Sequence, residues 1–451
     1  MKHFTLKQFA EACHAQFFGP EEILAQDIRG VVQDNRLIEP GFLFVAIRGE
    51  RVDGHCFIPD VYEKGALCAL SQQKLEYPAG PYLLVEDTLQ ALKEAAEAYR
   101  RTLTIPIIGV TGSVGKTSTK EMIASILSQK YCVLKTPGNL NNEIGLPLTI
   151  FQIDECHEAA VLEMGMNHFG EMHRLSRIAR PTCCVLTNIG TAHLEYLGSR
   201  DGIFRAKCEI FDYASPDAAV FVNGDDDKLI ALAERATTFG LGEENCVRAD
   251  QIEKRGFDGV RCRIFTDEFA FHVTIPLPGV HMGYNALAGV CVGLSLGRDT
   301  DEIRRGIEAL RPLPGRSNIL HTPHYTLLDD CYNANPASMI EALNILEDTR
   351  SRKVAILGDM GELGPQSPEL HASVGRHIGT LHIDLLLTIG ENSAKLHEAA
   401  ATAAPQTHCI HFSDLESFLE EKDSLLKDGD AVLIKASHAM HFERIVEALC
   451  S

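Results

Sequence analysis

Residues 104–120, TIPIIGVTGSVGKTSTK, carry the side chains with the clearest chemistry. The apolar run 105–110 reads as a buried parallel strand. Gly112, Ser113, Val114 and Gly115 read as a tight turn, and a helical pattern starts at Lys116. Strand, glycine loop, then Lys-Thr at a helix start make a phosphate cradle. Glycines let backbone N–H groups converge on an anion, and the helix N-terminus adds partial positive charge. Lys116 can reach the β- and γ-phosphates, and Thr117 offers a hydroxyl to Mg²⁺, with Ser118 completing the first turn. Position 110 is valine, so the motif is the shorter T-G-x-x-G-K-T form. A Gly-rich turn with a surface lysine is the plainer alternative. The flanking strand and helix favour nucleotide binding.

Other polar residues stand where strands should end. In an open α/β sheet ligands sit at the carboxyl ends of strands. Glu163 closes AAVLE and could complete a Mg²⁺ site with oxygen ligands, or be an ordinary loop acid. His193 follows the expected strand 182–188 in TNIGTAHLEYLG; a lone histidine is as readily structural. Lys207 shares a helical face with Ile203, Ile210 and Phe211. A lysine on an apolar stripe is costly unless it is paired, snorkels outward or is chemically altered. A buried neutral amine can take up CO₂ and become an anionic carbamate ligand. Asn285 in HMGYNA could read an adenine edge or serve a helix start. Arg316 could swing onto a γ-phosphate, or be a solvated linker charge. Asp330 could hold a ribose. Asn335-Pro336 looks like an N-cap followed by proline, which leaves Asn333 unexplained.

These groups need scaffolds, and the chain has room for them. Its 451 residues exceed one core, and two to four domains are expected. Net charge is 42 − 62 = −20, which argues against nucleic-acid or anionic-membrane partners. The fourteen cysteines form no C-x-x-C, no run of 18 apolar residues occurs, and MKHFTLKQFAEACHAQFF does not resemble a secretory leader. A cytoplasmic protein with reduced thiols and no membrane insertion is expected. Short strands and helices alternate over 1–100, ending in a strong helix at 86–103. Over 104–315 strands at 105–110, 131–135, 158–163, 182–188 and 218–222 alternate with helices. Short β segments after 237 and helices at 283–296 and 300–310 follow. PLPGR at 312–316 reads as an interdomain hinge. Strands at 325–329, 353–358, 383–389, 408–412 and 430–435 predict a second open parallel sheet. The Gly-rich turn 358–364 is not G-x-G-x-x-G and reads as a turn leading into a helix.

Taken in order, TGSVGKTS, EMG at 163–165, TNIGTAHLEYLGS with AKCEI, HMGYNA, PGRSN and DDCYNANP resemble the Mur ligase superfamily of ATP-dependent amide-forming enzymes. The resemblance spans essentially the full chain. DNRLIEPGFLFVAIRGERVDGHCFI at 34–58, TPGNLNNEIGLPLTI at 136–150, DDCYNANPASM and LGDMGELG resemble the branch that joins D-alanyl-D-alanine to UDP-N-acetylmuramoyl-tripeptide. The resemblance implies an α/β protein of three domains. Residues 1–102 would be a smaller α/β domain for the UDP-sugar. Residues 103–315 would be a central P-loop parallel-sheet domain for Mg-ATP, and 316–451 a Rossmann-like domain for the incoming dipeptide. It implies ATP and two Mg²⁺ ions, with Lys116, Lys207 and His193 catalytic. Thr117, Glu163, His193 and a carbamylated Lys207 would hold metal. Asn285, Arg316 and Asp330 would contact ATP. Asp34, Asn35, Arg36, Thr136, Asn139, Asn141, Asn142, Asn333, Asn335 and Ser338 would lie toward the substrates. A monomer is expected. Two departures stand out. Asp34-Asn35-Arg36 replaces the usual Asp-Ser-Arg, and Lys435-Ala436-Ser437-His438 replaces Lys-Gly-Ser-Arg, so no contact is carried over to 438. The rival readings are another ligase of the superfamily, such as a folylpolyglutamate synthetase, and a P-loop nucleotide switch.

Overall fold

The computed structural model describes residues 1, 3–49, 52–76 and 78–450. Glu50 and Arg51, inside the 34–58 motif, lie outside them. The strands fall in three sheets. The chain packs as two compact units. One comprises 1–112, 130–186 and 205–221, the other 113–129, 187–204 and 222–451. No boundary between the units falls at 312–316.

In the first unit, strand Gln16–Phe18 pairs antiparallel with Tyr82–Leu84. Cys68–Ser71, Phe42–Val45 and Gly30–Val32 then continue in parallel. Helix Thr88–Thr102 follows, its N-cap Asp87 accepting the Leu89 and Gln90 N–H groups at 2.8 and 2.9 Å. Its buried face carries Tyr99, which stacks on Phe151 (ring centroids 5.8 Å) beside Phe4 and Phe9. Arg100, near its end, is buried. It donates to the carbonyls of Ala179 (2.7 Å) and Arg180 (2.9 Å), satisfying the C-terminus of helix Glu171–Ala179. The strand before the glycine loop, Ile107–Thr111, is wholly buried between parallel neighbours Ala159–Glu163 and Cys183–Leu186. Val133–Lys135 flanks Ala159–Glu163. Strands buried on both faces read as continuous apolar runs, which is why 105–110 was legible.

In the second unit, helix Lys116–Leu127 packs on His281–Ser295 and Thr300–Glu308. Gly306 permits the closest approach: a Cβ there would lie 2.3 Å from Ile126 Cα. Strand Thr237–Gly240 pairs parallel with Val247–Lys254, and Val260–Phe265 and Ala270–Ile275 continue antiparallel. The last sheet runs 318–321, 325–329, 430–435, 353–358, 385–389, 408–412. Five strands are parallel, as expected. The sixth, Asn318–His321, is antiparallel to Tyr325–Asp329, so the sheet is mixed rather than purely parallel. A four-residue edge strand has too short a pattern to announce itself.

Candidate active site

Phosphate chemistry starts from the glycine loop. Gly115 caps helix Lys116–Leu127 at φ +82°, in the left-handed region where glycine carries no steric penalty. Its neighbours are fixed by Asn188. The Asn188 side-chain oxygen accepts the Val114 N–H (2.9 Å), and its amide donates to the Val114 carbonyl (3.0 Å). The Ser113 N–H reaches the Asn188 backbone carbonyl at 3.0 Å. Thr187 Oγ1 donates to the same Val114 carbonyl at 2.7 Å, and Ser113 Oγ accepts the Gly190 N–H at 2.9 Å. Asn188 was missed by the sequence reasoning. Its signal was its place in TNIG, directly after a strand.

Asn285 is buried. Its Oδ1 accepts the Thr119 hydroxyl at 2.9 Å, and its amide lies 3.3 Å from Met282 Sδ. It ties two helices together beside Gly115, where a Cβ would stand 3.4 Å from Asn285 Oδ1. It is not the N-cap of its helix; Val280 is.

Within the first unit, Glu163 is 2% exposed at the end of its strand, in register with Val110. Asn141 Nδ2 donates to Glu163 Oε1 at 2.7 Å, and Thr136 Oγ1 accepts the Glu163 N–H at 2.9 Å. Three residues named from sequence thus meet. Asn142 Oδ1 instead accepts the N–H groups of Ile144 and Gly145 at 3.1 and 2.8 Å, where helix Gly145–Ile150 begins. Asn139 contributes its carbonyl to the Asn141 N–H. Lys207 is 1% exposed, and its Nζ donates to the Gly112 carbonyl at 3.0 Å. Burial excludes the snorkelling alternative. Two residues on, Glu209 accepts the N–H groups of the N-cap Gly170 and of His173, at the start of helix Glu171–Ala179.

In the second unit, His193 takes a left-handed backbone (φ +64°) at the start of helix Leu194–Leu197. Its buried Nδ1 has no hydrogen-bond partner among the described residues and lies 3.4 Å from Glu362 Oε2, within ion-pair range if the ring is protonated. His193, and beyond it the Lys116 ammonium, hold the Glu362 carboxyl below its ordinary range. The turn 358–364 does lead into helix Ser367–Ile378, as expected. It also presents Glu362, a functional candidate that the purely structural reading passed over.

The remaining candidates are engaged locally. Arg316 lies 3.9 Å over the Tyr332 ring, whose other neighbour is His438 (ring centroids 5.4 Å), so the departure at 438 forms part of an aromatic stack. The turn 313–316 is anchored by the Gly315 N–H on Asp329 Oδ2 at 2.7 Å. Asp330 accepts the Ser317 N–H and the ammonium of buried Lys435, which also donates to the Asn333 carbonyl. Asn335 and Ser338 form a capping box on helix Pro336–Glu347, with N···O distances of 3.0 and 3.1 Å. Asn333 Oδ1 accepts the Ala334 N–H. Near the amino end, Asp34 forms an ion pair with Arg36 (2.6 Å), and Asn35 donates to Asp60 (2.7 Å).

The donor sets suit divalent metal. In the first unit Glu163 is a buried carboxylate of the kind oxygen-ligated cations bind, and in the second His193 Nδ1 is buried without a hydrogen-bond partner among the described residues.

The Mur ligase middle domain matches residues 110–293, the Mur ligase glutamate ligase domain 315–438, and the Mur ligase family catalytic domain 27–100. The UDP-N-acetylmuramoyl-tripeptide–D-alanyl-D-alanine ligase of Bacillus subtilis strain 168 is 36% identical over 451 residues, covering 99% of this chain and 98% of that protein. The chain belongs to the Mur ligase family. The crystal structure of MurF from Acinetobacter baumannii superposes with a TM-score of 0.89 at 32% identity, covering 99% of this chain and 98% of that one. MurF ligase from Thermotoga maritima, solved with ADP, gives 0.82 at 30% identity, covering 93% and 97%. These likenesses bear out the α/β fold read from sequence. Among the described residues no helix is long and apolar enough to cross a membrane.

Proposed function

We propose that this chain is an ATP-dependent ligase that joins D-alanyl-D-alanine to UDP-N-acetylmuramoyl-tripeptide, forming the pentapeptide precursor of peptidoglycan. One observation carries the reading: the likeness to a ligase of that specificity runs over 99% of the chain at 36% identity. The tripeptide's terminal carboxylate attacks the γ-phosphate of ATP, giving an acyl phosphate and ADP. The dipeptide amine then attacks the acyl carbon, and phosphate leaves. Carboxylate and triphosphate repel each other, so positive charge must offset them.

Loop N–H groups and Lys116 bind the phosphates. Asn188 and Thr187 hold Val114 so that those donors keep their aim. Thr117 and His193 supply magnesium ligands in the second unit, and Glu163 and Lys207, the latter as its carbamate, in the first. Bound Mg²⁺ supplies electrostatic screening between the two anions. Asn141 and Thr136 orient Glu163. Asn285, Arg316 and Asp330 contact the nucleotide. Asp34, Asn35 and Arg36 serve the UDP-sugar. Asn333, Asn335 and Ser338 serve the dipeptide, the last two by shaping the helix start rather than through side-chain atoms already used in capping. The functional segments are 1–102, 103–315 and 316–451, in a cytoplasmic monomer.

The test is phosphate release from ATP with UDP-N-acetylmuramoyl-tripeptide present, with and without D-alanyl-D-alanine. Release that requires the dipeptide and is not supported by glutamate confirms the assignment. Dependence on glutamate instead, or ATP consumption indifferent to any acceptor, overturns it.

A further inference from the structure

Thr136 and Glu163 stand at the carboxyl ends of strands Val133–Lys135 and Ala159–Glu163. The opposite ends of those two strands carry a separate cluster. Cys132 immediately precedes strand Val133–Lys135, and Cys156 and His157 lie just before Ala159–Glu163. The strands pair in register, Val133 with Ala159, and the Glu158 N–H donates to the Cys132 carbonyl at 2.8 Å. This pairing, set by the sheet, brings the two thiols together across 24 residues of chain, with Sγ atoms 3.3 Å apart. His157 Nδ1 lies 3.8 Å from Cys156 Sγ, and the three donor atoms all fall within 4.8 Å of one another. Both cysteines are exposed and form no disulfide.

We infer that Cys132, Cys156 and His157 form a surface site for one thiophilic divalent cation, zinc(II). Two thiolates and an imidazole are the soft donor set zinc prefers. Zinc bonds of about 2.3 Å to sulfur and about 2.0 Å to nitrogen place tetrahedral donors roughly 3.5–3.8 Å apart, so the sulfurs need part by only about half an ångström. His157 Nδ1 lies 3.1 Å from the Asp154 N–H and 2.8 Å from the Asp154 carboxylate, and zinc at Nδ1 replaces whichever of these two hydrogen bonds the ring makes. Asp154 also accepts the Cys156 N–H at 3.0 Å, which fixes the loop carrying both ligands. On binding, each thiol gives its proton to solvent, two sulfur–zinc bonds and one nitrogen–zinc bond form, and water takes the fourth position.

Cobalt(II) titration of the full-length protein under a phosphine reductant tests this. One equivalent should raise the thiolate-to-cobalt charge-transfer band, zinc should displace it, and Cys132→Ser or Cys156→Ser should weaken binding at least tenfold. Neither residue belongs to the ligase machinery, so both variants should keep acceptor-dependent ATP consumption. In the unaltered chain, zinc should protect Cys132 and Cys156 from maleimide labelling while exposed Cys56 and Cys450 react as before. Absence of the band, a band that survives both substitutions, or unprotected labelling overturns the site. So does a pair that oxidises to a disulfide in air and shows no metal uptake when reduced.

Discussion

Asp34 illustrates how a single residue here is tuned. The Arg36 side chain donates to its carboxylate, and the Arg36 N–H adds a second bond, holding the Asp34 carboxyl down to about 2. A carboxyl lowered in the fold contributes stability that is complete above its unfolded value and is lost as pH falls through the folded one. For Asp34 that window lies between its ordinary value of 3.8 and about 2. Carbon-detected NMR titration should show this low midpoint, and Arg36→Ala should return it toward the ordinary range. Lys207 is held by burial and by its bond to the Gly112 carbonyl. Lys207→Ala removes the donor to the Gly112 carbonyl, and turnover should fall about 100-fold or more while circular dichroism stays unchanged. Phosphate release measures it, and wild-type turnover would leave Lys207 a purely structural residue. Asn188→Ala strands the Val114 N–H, while the carbonyl keeps the Thr187 hydroxyl, at a cost of about 1–3 kcal/mol if the N–H finds no substitute. Weaker nucleotide binding by calorimetry should follow, with little change in the affinity for the UDP-sugar.

Among the elements, helix Pro336–Glu347 depends on its start. Its capping box joins Asn335 and Ser338 reciprocally, and proline follows the cap. Asn335→Ala should cost about 1 kcal/mol and lower the melting temperature. Asn335→Asp, which keeps the acceptor, should cost much less. This helix start was readable from Asn335-Pro336, because capping chemistry is local. So was strand Ile107–Thr111, because a strand covered on both faces must be apolar throughout. Other features were hidden because their partners lie far off in sequence. Asn188 meets Val114 across 74 residues, and an asparagine after a strand looks like any turn residue. Glu362 acquires meaning only when His193, distant in the chain, stands beside it. Strand Asn318–His321 is half-buried and too short to display alternation. The role of Lys435 was hidden for the same reason, because Asp330, which accepts its ammonium, lies 105 residues away.

At the scale of the whole molecule, two compact units predict unfolding in more than one step. Differential calorimetry should resolve a calorimetric enthalpy larger than the van't Hoff value for a single transition. A non-hydrolysable ATP analogue at about 100 times its dissociation constant should stabilise the state that binds it by about 2.7 kcal/mol. The way Asn188 grips Val114 on both sides bears on how that ligand is received. Because the cradle's curvature is set by the protein's own amides, the chain has already surrendered that freedom when it folds. Nucleotide therefore meets a preorganised receptor, and little loop-ordering entropy should oppose its capture.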